Sequence, residues 1–146
     1  MIGLLLSRGA SGVPAPAPVE FGPGFRLPPS PNAHLLAPPG MDLPAHGRFG
    51  PWAVPREAVW AALKQAAAEQ PRTFPLAEWP ERLQAQWVAR TRLMNFPDIV
   101  VGQVVEAEGG AGLVLYSRSL LGWSDLGANA ARLAAWRAAV ERRLPG

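Results

Sequence analysis

The apolar positions of this chain follow two periods. In "RLQAQWVAR", Leu83, Ala85, Trp87 and Ala89 alternate with Gln84 and Gln86, which predicts a strand with one buried and one polar face. "IVVGQVVE" (99–106) and "LVLYSRS" (113–119) are apolar runs flanking "AEGGAG". Those glycines supply the positive φ of a hairpin loop, so the two runs are expected to be antiparallel neighbours. "RTFPLAEW" (72–79) reads as a further strand, and "RFGPWAVP" as a short edge strand over 48–54, held to an edge by Pro51 and Pro55.

The other period is helical. Pro55 opens "REAVWAALKQAAAEQ", with Val59, Leu63 and Ala66 on one face and Pro71 beyond its end. A second helix is expected over about residues 126–144, with Leu126, Leu133, Trp136, Val140 and Leu144 forming its stripe and Ser124 or Asp125 its cap. Strand, helix, antiparallel strands, helix predicts an α+β fold: a two-layer arrangement with a curved antiparallel sheet of four to five strands and both helices on one face. Trp60, Trp87 and Trp136 then belong to the core.

Composition changes the picture at the N-terminus. Ten of the seventeen prolines and six of the fifteen glycines precede residue 46, so residues 1–45 read as a Pro/Gly-rich extended arm and residues 46–146 as the folded domain. Phe21, Phe25, Leu27, Leu35 and Leu36 give that arm more apolar surface than a solvated spacer needs, and mark it as a segment that docks on a partner. The apolar run Met1–Leu6 is too short for a secretory core or a membrane span, which leaves peripheral contact with a bilayer open and predicts no transmembrane helix.

The formal charge is +3, carried by thirteen arginines and Lys64. The arginines are dispersed along the chain rather than clustered, which argues against a nucleic-acid surface. There are no cysteines, so disulfides and thiolate chemistry are excluded, while the compartment and the side of any membrane stay undetermined.

The stretch "LLGWSDLGANAARL" (120–133) is the most distinctive. Gly122 lets the chain leave the sheet, Ser124 or Asp125 takes up free helix amides, and Asn129 reaches back to the corner. A corner that joins sheet to helix accounts for all of these residues. The same residues could instead line a small binding pocket of Trp123, Ser124, Asp125 and Asn129, with Asp98 and Arg118 beside them.

"GWSDLGANAARL" resembles the signature of the family known as domain of unknown function 1499, approximately SRVGYSDLGVNRKRVE, through Gly122, Ser124, Asp125, Leu126, Gly127, Asn129 and Arg132. "SPNAHLL" (30–36) is similar to that family's SPNCVSS, and "NFPDIVVGQVV" to its FVDDVEF segment. The resemblance brings no activity with it. It does imply losses of polarity, because Ala33, Ile99, Val101, Leu120, Ala130 and Ala131 stand where the family has cysteine, acidic or basic groups. The polar set that remains is Asn32, Asp98, Arg118, Ser124, Asp125 and Asn129.

Catalytic options are thin. Two-carboxylate chemistry would need Asp98 with Asp125, or Glu78 with Glu81. His34 and His46 both lie in the proline-rich stretch, away from any base that Ser124 would need. "EGGAG" precedes a strand rather than a phosphate-binding helix. The sequence therefore assigns no catalytic residue, metal or cofactor. It favours a non-catalytic interaction protein, an accessory subunit that docks on a larger, membrane-associated bacterial complex through its arm and apolar surface. The alternative is a small-ligand-binding domain or enzyme with its pocket at the sheet-to-helix junction.

Overall fold

In the computed structural model, which describes residues 9–146, six strands form one open sheet. They are β1 (Ala33–Ala37), β2 (Gly47–Arg48), β3 (Thr73–Trp79), β4 (Gln84–Arg90), β5 (Pro97–Ala107) and β6 (Gly110–Ser119), with α1 (Arg56–Ala68) and α2 (Ala128–Glu141) between and after them. The spatial order is β2-β1-β6-β5-β4-β3. Every pairing is antiparallel except the two-residue contact of β1 with β2.

The α+β class and the two helices agree with the sequence, but the sheet is larger than the four to five strands expected. The added strand is β1, inside the stretch read as an arm: "AHLLA" fits between Pro31 and Pro38 and pairs with β6 from Ala33↔Arg118 to Leu36↔Leu115. Five residues between prolines suffice for a ladder, because the donors they need are all their own. The strand expected over 48–54 shrinks to Gly47–Arg48, followed by one bridge from Trp52 to Ala111. Pro51 breaks the run between them.

Both helices cover one face of the sheet. Val59, Leu63 and Ala66 of α1 and Leu133, Trp136 and Val140 of α2 are fully buried against Ala85, Trp87, Val100, Leu113 and Leu115. Trp87 and Trp136 meet edge to face at 5.1 Å, and Trp60 packs on the rim of the same cluster, so all three are core as expected. Gly102 is required here, since a side chain would meet Leu63 at 2.8 Å.

The opposite face is covered too, which makes three layers of the expected two. Leu35, Val88, Ile99, Val101, Val114 and Tyr116 form a second apolar cluster, and Val13, Val19, Phe21, Phe25 and Leu27 pack on it. Phe25 and Phe21 meet the Tyr116 ring at 5.3 and 6.2 Å. Phe21, Phe25 and Leu27 thus lie against the chain's own sheet, and Leu35 and Leu36 are buried within it; a free extended arm is not what the structure shows. The run Met1–Leu6 lies outside the described residues.

The glutamines of β4 explain how a proline-rich segment can lie there. All seven residues of β4 are buried, so its second face is polar yet not solvated. The Gln84 amide accepts the Val19 N–H at 2.8 Å and donates to the Val19 carbonyl at 2.8 Å, reproducing with one side chain the reciprocal pair of an antiparallel ladder. Gln86 donates to the Ala17 carbonyl at 3.1 Å. Buried Arg90 continues the row, donating to the carbonyls of Gly9, Ser11 and Asn95. Prolines lack ladder donors, and these side chains supply them.

Candidate functional site

The register brings one polar cluster to the end of the sheet where α2 begins. Asp98 pairs with Ser119 across β5 and β6, and Ser117 points to the same helix-covered face. Asn129, in the first turn of α2 and fully buried, is the hub. Its Oδ1 accepts from Ser117 Oγ at 2.5 Å and Arg132 Nη1 at 2.7 Å. Its Nδ2 lies within 3.0 Å of the Asn32 carbonyl, Ser119 Oγ and Asp125 Oδ2. Asn32 in turn donates to the Gly122 carbonyl at 2.9 Å, tying the residue before β1 to the loop before α2.

Asp98 is 2 % exposed and pairs with Arg132 at 2.8 Å. Burial pushes its carboxyl above the usual range and outweighs the lowering by Arg132 and Ser119. Asp125 moves the other way: burial raises it, but hydrogen bonds from Asn129 and from the Gly127 and Asn129 amides hold it below the ordinary value. Asp125 Oδ1 accepts the Gly127 N–H at 2.8 Å and Oδ2 the Asn129 N–H at 3.2 Å. It therefore braces the helix start as the sequence suggested, although α2 begins at Ala128, two residues later than expected. Leu126 and Gly127 at φ 54° and 84° make the turn before it.

Of the residues read as a junction pocket, Asp98, Asp125 and Asn129 are brought together. Ser124 stays at the surface, its Oγ accepting the Leu126 N–H at 3.2 Å. Trp123 is 67 % exposed and takes no part in the cluster's hydrogen bonds described above. Arg118 is on the opposite face of β6, where it shares a shallow recess with Leu120 and Pro16. Ser117, Ser119 and Arg132 were not singled out as site residues. Their signal was the strand period, which puts Ser117 and Ser119 on Asp98's face, and helical spacing, which puts Arg132 three residues after Asn129. Ile99 and Val101 are buried under the N-terminal segment, whereas Leu120 stays exposed.

Above the cluster lies an open cleft of about 440 Å3, walled by Asp98, Ser119 and Asp125 and by the loops 91–96 and 120–127. These loops hold all the large apolar side chains exposed among the described residues: Leu93, Met94 and Phe96 on one, Leu120, Leu121, Trp123 and Leu126 on the other. The first loop is braced from below. Thr91 accepts the Asn95 N–H on its carbonyl and the Phe96 N–H on its hydroxyl, while Arg90 holds the Asn95 carbonyl. Leu93 and Leu126 are 87 % and 94 % exposed.

Next to this cleft, sharing Thr91, Arg92 and Ala128 with it, is a second of about 360 Å3 lined by Arg72, Arg92, Arg132, Thr73 and Thr91. On the other side, His34 and His46 stack at 4.6 Å, and the His46 Nδ1 accepts the Leu35 N–H. Burial, then His46, lowers the His34 pKa, partly offset by Asp125.

A six-stranded open sheet with both helices on one face, its proline-rich lead on the other and an Asn-centred corner at one end defines the class of domain. The chain belongs to the protein family of unknown function DUF1499, whose profile matches residues 27–140. Its fold is similar to the crystal structure of protein MLL2253 from Mesorhizobium loti, with a TM-score of 0.52 at 10 % identity, over 76 % of this chain and 95 % of that one. No curated protein matches the chain.

Proposed function

We propose that this protein is a non-catalytic docking module, an accessory subunit that holds on to a larger, membrane-associated bacterial assembly through the apolar end of the domain. One observation carries the reading: among the described residues, the exposed large apolar side chains are confined to two neighbouring loops, 91–96 and 120–127. Scattered apolar residues are ordinary on a protein surface, whereas a contiguous group marks a contact. The loops are braced by their own hydrogen bonds, so little ordering entropy is lost on docking. The surface invoked is the loops rather than residues 9–45, whose phenylalanines and leucines pack within the domain.

A second reading has its own support in Asp98, a buried carboxylate of raised pKa on the wall of the 440 Å3 cleft. Perturbed carboxylates in clefts are the usual mark of a ligand site. Its ion pair with Arg132 and the saturated bonds of Asn129 equally suit a structural duty, and this places it behind docking.

The test is quantitative recovery of partners, by mass spectrometry, from native membranes with the full chain and with the variant L93S/L121S/W123S/L126S. Docking predicts that the variant keeps its melting temperature and loses the partners of the wild type. Equal recovery by both removes the reading. Small-molecule stabilisation abolished by Asp98→Asn, with partners unchanged, favours the cleft instead.

A further inference from the structure

We propose that part of the surface these loops contact is lipid: the domain stands on an anionic phospholipid leaflet, with Leu93, Trp123 and Leu126 in the interface and Arg72 and Arg92 against the headgroups. This deepens the docking reading and rests on it.

The placement of charge selects this occupant. β4 ends at Arg90, paired with Pro97 at the start of β5, and β6 ends beside them at Ser119. Both apolar loops therefore leave the same end of the sheet. Arg72 leads into Thr73, the partner of Ala89, and Arg118 is the partner of Ala33 and Ile99, so both belong to that end with Arg92. Among the described residues none of Arg72, Arg92 and Arg118 forms an ion pair. The two carboxylates here are committed, Asp98 to Arg132 and Asp125 to the α2 turn. At the far end of the sheet the signs are mixed: Glu106 and Glu108 flank the β5–β6 hairpin, while Glu81 shares the turn before β4 with Arg82, which pairs with Glu20.

The apolar pole thus carries Arg72, Arg92 and Arg118 with no free carboxylate beside them among the described residues. A protein partner of arbitrary chemistry would not need both properties at one pole, whereas an anionic leaflet matches both. Apolar side chains enter the acyl boundary while arginines a few ångströms back meet phosphates, and an exposed tryptophan suits the interface itself. The arginine-lined cleft beside the loops, with Arg72, Arg92 and the Thr91 hydroxyl in its wall, offers a headgroup phosphate the donors it accepts. No helix among the described residues is long and apolar enough to cross a membrane, so the contact is one of lying on the bilayer.

The experiment is co-sedimentation of the full chain with vesicles of phosphatidylcholine alone and of phosphatidylcholine mixed with phosphatidylglycerol. The expected result is pelleting with the mixed vesicles, weakened by salt and lowered about fivefold by each of Arg72→Gln and Arg92→Gln. L93S/W123S/L126S should lower it about tenfold or more. Because these side chains are exposed, the variants should melt with the wild type. No binding to either vesicle, or equal binding to both, overturns the lipid proposal, as does a protein stabilised by inorganic phosphate that ignores vesicles. If vesicles are ignored but the loop variant still loses its protein partners, docking stands and lipid falls; if the loop variant keeps both, both fall.

Discussion

Gln84 shows how much one side chain can decide. Its amide is the only route by which the Val19 peptide completes both hydrogen bonds with the sheet. Gln84→Met keeps the volume but strands a part-buried donor and acceptor, which costs about 1 to 3 kcal/mol. Urea denaturation should read that loss, and limited proteolysis should show faster cleavage within residues 13–21. Leu126 makes the opposite case. It holds a φ of 54° with its side chain 94 % exposed, a left-handed backbone that costs a leucine about 1 to 2 kcal/mol. Leu126→Gly relieves it, so thermal melting should be unchanged or higher by up to about 1 kcal/mol, with weaker docking. His34 sets the pH dependence near neutrality. Its pKa is lowered by folding, chiefly through burial and then His46, against Asp125. A base lowered in the folded state contributes nothing unfavourable above its unfolded value and destabilises as pH falls from there through the folded pKa. The melting temperature should fall as pH drops below about 6.5, the ordinary histidine value, and His34→Gln should flatten that slope.

At the scale of elements, β5, β6 and α2 are locked by the Asp98–Arg132 pair under Asn129. Asp98→Leu leaves the mostly buried Arg132 without its counter-ion, a loss of about 3 kcal/mol, whereas adding Arg132→Met to it should lower the cost. A double-mutant cycle of Asp98→Leu, Arg132→Met and the two together, read by chemical denaturation, measures this; a double cost equal to the sum of the two single costs would mean that the pair is not coupled. Most elements were legible before the structure, because long runs keep their period: β3 to β6 and both helices fall within a few residues of their expected places. β1 was not, because five residues between prolines are too few to display a period, and Leu35 and Leu36 read as surface for a partner. Gln84 and Gln86 read only as a polar face, since composition does not reveal that a side-chain amide can stand in for a strand. In the site, Asp98, Asp125 and Asn129 were legible from cap chemistry and spacing. Leu93, Met94 and Phe96 were not: they sit in a loop, where period carries no information and only exposure distinguishes them.

For the whole molecule, the division into an arm and a domain has a direct physical test. Removing residues 1–32 would bare the second cluster of Val88, Ile99, Val101, Val114 and Tyr116. At roughly 25 cal/mol per Å2 of apolar surface, uncovering several such side chains exceeds what a domain of this size can lose. The shortened chain should aggregate or melt far below the full one in calorimetry; a soluble product with an unchanged transition would make the segment an accessory. The same cover has a consequence for how the protein is made. Residues 9–31 leave the ribosome before the sheet, and the platform they settle on is completed only when β6 has been translated. Throughout that interval the leading segment waits without its destination. Its prolines bar it from helix and from borrowed ladders, so the cover over this face of the sheet can settle only after the last strand has arrived.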